Sequence, residues 1–372
     1  MKFVFVSNYF NHHQHAFSNE MFRLTNGEYR FISTKLIEQE RLKMGWSEPK
    51  ESYVLHFDEN PEYCRKLIDS AEVVLFGDAP EELLQNRLKD GKLVFKCSER
   101  LYKTGVKRYT LFPRRVINYF RWGRYSNLYL LCASAYCAED YALTGNFIGK
   151  AYKWGYFPDT KRYDNIEDLF VEKKKNRSPL ILWVGRFIGW KHPDAALRAA
   201  KRLNDNGLDF EMCIIGGGEL EETVKSLVTE YHLENKVRLL GTMKPEEVRS
   251  YMERANIYLL TSDRNEGWGA VLNESMNSGC AVVANKEIGS APYLLDSDVN
   301  GLVYSNEDEL YKNVEMLIKN PKMQEELGRN AYKTVTDVWN AEAAAGRLLE
   351  FVTSFRTSGS FEKYDGGPLS RA

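Results

Sequence analysis

Short apolar runs alternating with longer amphipathic segments constrain this chain more than any other feature. Lys2 to Ser7, Tyr29 to Ile32, Tyr53 to Phe57, Val73 to Phe76, Leu93 to Phe95 and Leu128 to Cys132 each have the length and bounds of a buried strand. Helical spacing separates several of them: the pattern through Phe17, Met21 and Leu24, then Asn60 to Ala71 and Glu81 to Lys89. Such alternation predicts a doubly wound parallel α/β domain over residues 1–160.

The pattern then repeats. Asp159 to Ser178 is polar and charge-rich and reads as an interdomain linker. After it come Leu180 to Val184 (strand), Pro193 to Asn204 (helix), Phe210 to Ile215 (strand), Glu219 to Tyr231 (helix), Val237 to Leu240 (strand), Pro245 to Arg254 (helix), Ile257 to Leu260 (strand) and Ala281 to Ala284 (strand). Pro193, Pro245 and Pro321 each suit a first helical position, where the missing N–H costs nothing. A second α/β domain is expected over residues 175–340, with a cleft between the two. A helix follows over 341–356, and the Gly/Ser-containing tail 357–372 reads as loose.

Composition narrows the function classes. A chain of 372 residues with formal net charge −1 has no global polyelectrolyte character. Six cysteines lie far apart without CxxC or Cys/His spacing, which predicts buried thiols in a reducing compartment and neither a disulfide frame nor a metal site. Met1-Lys2 runs directly into a strand, so no signal peptide is read and a cytoplasmic location is expected.

Three strand ends carry chemistry. Arg264-Asn265-Glu266-Gly267-Trp268-Gly269-Ala270 follows one apolar strand and feeds a helix that Gly279 terminates. Open α/β sheets bind ligands at such carboxyl ends, and free N–H groups at a helix start suit a diphosphate. Glu266 and Glu274, eight positions apart, are bidentate acceptors suited to vicinal hydroxyls; the bland alternative is two surface glutamates, one complementing the helix dipole. Gly185-Arg186-Phe187-Ile188-Gly189-Trp190-Lys191 places two cations above another strand end, where they can hold a diphosphate and stabilise the charge it develops on leaving. Gly216-Gly217-Gly218 permits close backbone approach to a ligand. There is no complete G-x-G-x-x-G, and no glycine follows the first strand, which counts against a nicotinamide-dependent oxidoreductase.

With these residues in view, the chain resembles the retaining glycosyltransferases of family 4, of GT-B fold: two doubly wound Rossmann-like domains facing a cleft. The resemblance is strongest from about Leu180 to Asn340, and its centre is Glu266 through Glu274, which looks like that family's E-x7-E signature. It implies that Glu266 lies near the donor sugar, Glu274 binds the nucleotide ribose, and Arg186 and Lys191 hold the donor diphosphate. Gly185, Gly216, Gly217 and the backbone of Gly267, Trp268, Gly269 and Ala270 would line the donor site, with Thr242 and Met243 against the nucleobase. The donor is then a nucleotide-sugar substrate; no cofactor and no metal are implied. The 341–356 helix would cross back to the first domain.

The first domain departs from the family, whose members commonly carry a glycine pair after the first strand. Here the loop runs Asn8 to Gln14, so Asn11, His12 and His13 become candidates for contact with an acceptor, together with Glu99 and Arg100 beyond another strand. From Lys96 to Tyr125 the chain places nine cations (Lys96, Arg100, Lys103, Lys107, Arg108, Arg114, Arg115, Arg121, Arg124) against one anion, Glu99, with aromatics interleaved. That composition suits an anionic membrane surface; a solvated basic face over core aromatics is the alternative, and nothing else favours nucleic acid. The expected function is glycosyl transfer to a glycan or polyprenyl-diphosphate-linked acceptor in surface polysaccharide or glycoconjugate synthesis. A GT-B epimerase or phosphorylase, or a non-catalytic nucleotide-sugar-binding scaffold, stays open.

Overall fold

The computed structural model describes residues 1–38, 48–107, 110–358 and 364–372. The chain forms two compact units, Met1–Asp159 with Trp339–Ala372, and Thr160–Val338.

Unit 1 contains strands β1 (Phe3–Ser7), β2 (Tyr29–Ser33), β3 (Val54–His56), β4 (Val73–Phe76), β5 (Leu93–Ser98), β6 (Leu128–Cys132) and β7 (Ala151–Lys153). They build one parallel sheet in the order β3-β2-β1-β4-β5-β6-β7. Its first five helices are α1 (His12–Leu24), α2 (Pro61–Ser70), α3 (Gln85–Lys89), α4 (Leu111–Asn118) and α5 (Cys137–Ala142). All five residues of β1 and all four of β4 are buried, as expected of central strands covered on both faces. Asn60 caps α2 by accepting from the Tyr63 N–H at 3.1 Å, and Pro61 follows at the first helical position. Fully buried Arg87 ties this layer together, donating to the carbonyls of Ile68 (2.8 Å), Ala71 (2.6 Å) and Leu93 (2.8 Å). Burial pushes its guanidinium down to about 10.

Unit 2 opens with α6 (Glu167–Lys173) and carries β8 (Leu180–Val184), β9 (Glu211–Ile215), β10 (Val237–Leu239), β11 (Ile257–Leu260), β12 (Ala281–Asn285) and β13 (Leu302–Tyr304). These strands form a second parallel sheet in the order β10-β9-β8-β11-β12-β13. Its helices continue as α7 (Pro193–Asp205), α8 (Glu221–Glu230), α9 (Pro245–Arg254), α10 (Val271–Asn277), α11 (Ala291–Leu294), α12 (Glu307–Lys319) and α13 (Pro321–Lys333). Ala196, Ala199, Ala200 and Leu203 of α7 join Ile181, Ile214, Leu259 and Val283 of the sheet in one core. The small alanine side chains bring the helix backbone close to the strands.

Each sheet reverses its winding once, between β1 and β4 in unit 1 and between β8 and β11 in unit 2. Loops leaving the carboxyl ends of those neighbouring strands diverge and leave a crevice. The expected doubly wound architecture is present in both units.

Two expectations are corrected. The stretch expected to be a linker folds onto unit 2: the Lys161 N–H donates to Asn277 Oδ1 at 2.9 Å, Tyr163 O–H donates to Glu253 Oε1 at 2.6 Å, and buried Lys173 reaches the Met252 carbonyl at 3.2 Å. Lys173 and the Lys161 and Tyr163 donors bind groups of unit 2, while most other charged residues of the stretch stay exposed. Of the tail expected to be loose over 357–372, residues 359–363 lie outside the described residues, and residues 364–372 are placed against unit 1. After α14 (Ala341–Ser358), whose apolar side includes buried Leu348, Phe351 and Val352, residues 367–370 are buried in unit 1. The Leu369 N–H donates to the Lys153 carbonyl at 2.8 Å and the Lys153 N–H to the Ser370 carbonyl at 2.8 Å, so the tail covers the exposed edge of β7.

All six cysteines are free, and only Cys97 is not fully buried. Among the described residues no helix is long and apolar enough to cross a membrane, and no group of three or more His, Cys, Asp or Glu is arranged to hold a metal.

Candidate active site

The winding reversal of unit 2 gathers the predicted donor residues. The loop after β8 carries Gly185, Arg186 and Lys191; the loop after β11 carries Asp263 to Ala270. Lys191 Nζ donates to Glu266 Oε2, and both side chains are largely enclosed. Trp190 lies under both cations, its ring centroid 4.8 Å from Lys191 Nζ and 5.7 Å from Arg186 Cζ. Arg186 itself is exposed. Among the described residues Lys191 is therefore already paired with a carboxylate, whereas Arg186 makes no ion pair.

Backbone fixes this pairing. Thr261 Oγ1 donates to the carbonyls of Lys191 (2.8 Å) and His192 (2.9 Å), and accepts from Trp183 Nε1 at 2.8 Å. His192 adopts left-handed backbone (φ 50°) immediately before Pro193 begins α7. Its Nε2 lies 3.1 Å from Asp263 Oδ2, while Asp263 Oδ1 accepts from the Asn265 N–H (2.8 Å) and Nδ2 (2.9 Å). Burial pushes the Asp263 carboxyl up, but the Asn265 N–H groups and His192 hold it below the ordinary value. His192, Asp263 and Asn265 thus brace the two loops against each other. Their sequence signal was slight: an Asp-x-Asn between strand and glycine turn, and a histidine before proline.

The glycine loops interlock. Gly216 has φ 146°, and a Cβ there would stand 1.8 Å from the Gly185 carbonyl oxygen. The Phe187 N–H donates to the Gly217 carbonyl at 2.8 Å, and the Gly216 N–H to the Gly241 carbonyl at 2.8 Å. A Cβ on Gly217 would lie 3.3 Å from Thr242 Cγ2. Gly185, Gly216, Gly217 and Thr242 therefore line one wall, with half-buried Met243 next in the chain.

At the Glu266 turn, Gly269 has φ 82°. The Gly267, Gly269 and Ala270 N–H groups donate to no protein acceptor among the described residues. Trp268 contributes backbone only: its indole is buried and donates to Asn273 Oδ1 at 2.9 Å. Glu274 is half-buried near the start of α10, and its carboxylate accepts no hydrogen bond among the described residues. Burial pushes that carboxyl above its ordinary range, with Arg249 opposing.

The first-domain candidates divide. Asn11 is buried and caps α1, accepting from the His13 N–H at 2.8 Å. Arg100 is tucked over the Tyr136 ring (4.5 Å) and lies 3.9 Å from Asp140. His13 and Glu99 do come together through Tyr156, whose ring stacks on His13 at 6.1 Å and whose O–H donates to Glu99 Oε1 at 2.7 Å. His12 packs against His13 at 3.9 Å between ring centroids, and burial lowers its pKa.

Comparison with known proteins follows this division. Residues 164–334 match the family model described as glycosyl transferases group 1. The amylovoran biosynthesis glycosyltransferase AmsK of Erwinia amylovora is 35% identical over 126 residues, covering 32% of this chain and 31% of that protein. The N-acetylgalactosamine-N,N'-diacetylbacillosaminyl-diphospho-undecaprenol 4-alpha-N-acetylgalactosaminyltransferase of Campylobacter jejuni is 30% identical over 172 residues, covering 46% and 44%. The chain thus spans less than half the length of these curated relatives. In structure, HepE of Anabaena in complex with UDP aligns over 95% of this chain and 100% of that one, with TM-score 0.70 at 14% identity. Sucrose-phosphate synthase of Thermosynechococcus elongatus aligns over 96% and 100%, with TM-score 0.64 at 14% identity. The chain is therefore similar to the GT-B glycosyltransferases in the fold of both units, and to the group 1 glycosyl transferases in the sequence of the second.

Proposed function

We propose that this protein is a retaining glycosyltransferase of the family 4 type, moving a sugar from a nucleotide-diphosphate donor to a glycan or lipid-linked acceptor in polysaccharide or glycoconjugate synthesis. The observation that carries the reading is the Lys191–Glu266 pair set beside Arg186 and open backbone amides at the winding reversal of unit 2. The arriving diphosphate competes for Lys191, and together with Arg186 the ammonium balances its charge. Glu266 is then released to orient hydroxyls of the donor sugar. Glu274 anchors the ribose, which makes Glu266 to Glu274 a working E-x7-E.

In the reaction the bond between the anomeric carbon and the diphosphate oxygen breaks. A bond to the acceptor oxygen forms on the same face, and the acceptor proton passes to the departing diphosphate. Arg186, Lys191 and the amides of Gly267, Gly269 and Ala270 gain most from the charge that develops there, so they favour the transition state over the ground state. No metal or cofactor enters this scheme. His13 and Glu99 are the acceptor-side candidates retained. A cytoplasmic location with peripheral contact of residues 96–125 at an anionic membrane completes the reading; the glycosyltransferases of Erwinia amylovora and Campylobacter jejuni named above support the lipid-linked or polysaccharide acceptor by analogy.

Thermal shift against UDP-, GDP- and ADP-linked sugars is the primary test. The true donor should raise the melting temperature by mass action, and labelled sugar should then appear in an acceptor-linked product of retained configuration. Donor isomerisation without any acceptor would instead identify an epimerase.

A further inference from the structure

We propose that the segment 110–124 of unit 1 is a lipid-facing surface that seats the protein on an anionic membrane, resting on the peripheral-contact part of the reading above and not on glycosyl transfer itself. No residue of α4 is buried. Phe112 is 76% exposed, Ile117 60%, Phe120 59%, Tyr119 55% and Val116 47%. Phe112, Val116 and Tyr119 recur at helical spacing, so they share one face. A surface helix ordinarily turns such a face to the core; a contiguous apolar patch left in water marks a binding surface.

The opposite side of the segment is fastened. Trp122 is buried with Lys96 Nζ 4.5 Å from its ring centroid. Asn118 Nδ2 donates to Thr144 Oγ1 at 3.2 Å, and Arg115 Nε to the Leu143 carbonyl at 3.3 Å. The bare face is thus held outward by the contacts behind it.

Charge identifies the occupant. No carboxylate occurs in the sequence between Glu99 and Glu139. Arg114 and Arg124 belong to the same segment, lying over Tyr102 (5.1 Å) and Tyr125 (4.8 Å). The same face of a second copy would bring arginine against arginine. A bilayer interface offers both halves of the match, with anionic headgroups for the arginines and the acyl boundary for Phe112, Ile117 and Phe120. The structure also removes several cations of the wider 96–125 stretch from this role. Lys96 is enclosed against Trp122, Arg100 is tucked beside Asp140, and Arg121 is paired with Glu81. Arg108 and Tyr109 lie outside the described residues.

Sedimentation of the full chain with vesicles tests this. The wild type should pellet with phosphatidylcholine vesicles containing about a third phosphatidylglycerol, and should stay in solution with phosphatidylcholine alone. Phe112→Ser/Ile117→Ser/Phe120→Ser should lower partition about tenfold or more while keeping the wild-type melting curve. Arg114→Gln/Arg124→Gln should weaken binding and flatten its salt dependence. A wild type that stays in the supernatant, or a triple variant that partitions normally, overturns the proposal. A concentration-dependent dimer that the triple variant abolishes, without vesicle binding, overturns it in favour of a second copy. Vesicle binding needs no donor, so a protein that pellets but binds no nucleotide sugar would retire the enzymatic reading and leave this one standing.

Discussion

Lys191 and Glu266 stand 75 residues apart in the chain and meet as an ion pair above the carboxyl edges of β8 and β11. Side-chain exposure of 13% and 11% means that neither charge is left fully to water. Removing one partner strands the other. Lys191→Ala and Glu266→Ala should each lower turnover by roughly 10²- to 10³-fold and stability by about 1–3 kcal/mol. The double variant should lose less stability than the two single losses added, and urea unfolding of all four proteins measures that coupling. Strict additivity in urea, or wild-type rates in the single variants, contradicts the pairing as the centre of the site.

Glu274 offers a pH test. Its carboxyl is raised by burial, so the folded protein binds the proton more tightly than the unfolded chain does. Stability is consequently lost as pH rises through the interval between the unfolded value and the higher folded one. Glu274→Gln carries no such charge. It should melt above the wild type at pH 7.5, with the difference closing once both states are protonated below about pH 4. Donor affinity should meanwhile fall about tenfold or more, because an ionic hydrogen-bond acceptor is gone. Calorimetric melts across pH, with titration of the donor, separate the two effects.

Gly216 and Gly189 form a matched pair of substitutions. A Cβ on Gly216 would strike the Gly185 carbonyl at 1.8 Å, whereas nothing lies within 4 Å of one on Gly189. Gly216→Ala should cost about 3 kcal/mol or more and impair donor binding, since the two strand-end loops can no longer interlock. Gly189→Ala should stay within about 0.5 kcal/mol of the wild type. Equal melting temperatures for the two would contradict the loop contact.

Arg87 belongs to unit 1 and the proposed donor residues to unit 2, so its variant isolates unit 1. Arg87→Ala leaves the buried carbonyls of Ile68, Ala71 and Leu93 without their donor and should destabilise the fold by about 3 kcal/mol or more. Arg87→Lys should recover only part of the loss, because one ammonium cannot span the same three carbonyls. Donor affinity at low temperature should be unchanged in both. A clear loss of that affinity would show that Arg87 does more than hold unit 1.

The sequence made the strands of the parallel sheets legible wherever an apolar run filled a central position, as in β1, β4, β8 and β11. It missed β7 and β13; β3 and β10 are equally short, but their runs carry apolar or aromatic residues past the strand, at Tyr53 and Phe57 and at Leu240. The loops that gather at the winding reversal of unit 2 were legible because glycines and charges at strand ends report backbone geometry directly. Asn11 and Arg100 were harder: a cap and a buried cation have the same composition as a binding residue, and only their partners tell them apart. The His192–Asp263 brace spans 71 residues, a separation at which spacing carries no information. Charge in the linker misled for a related reason, since Lys173 spends its ammonium on buried carbonyls.

The edge of β7 is covered by residues from the far end of the chain, and α14 belongs to the same unit as β1. Unit 2 is one uninterrupted segment, whereas unit 1 is written in two pieces around it. A ribosome synthesising this chain has therefore released all of unit 2 before it emits the helix and the edge-covering tail that close unit 1. The half carrying the proposed donor residues can mature first, and the half carrying the exposed aromatic face is the last to be sealed.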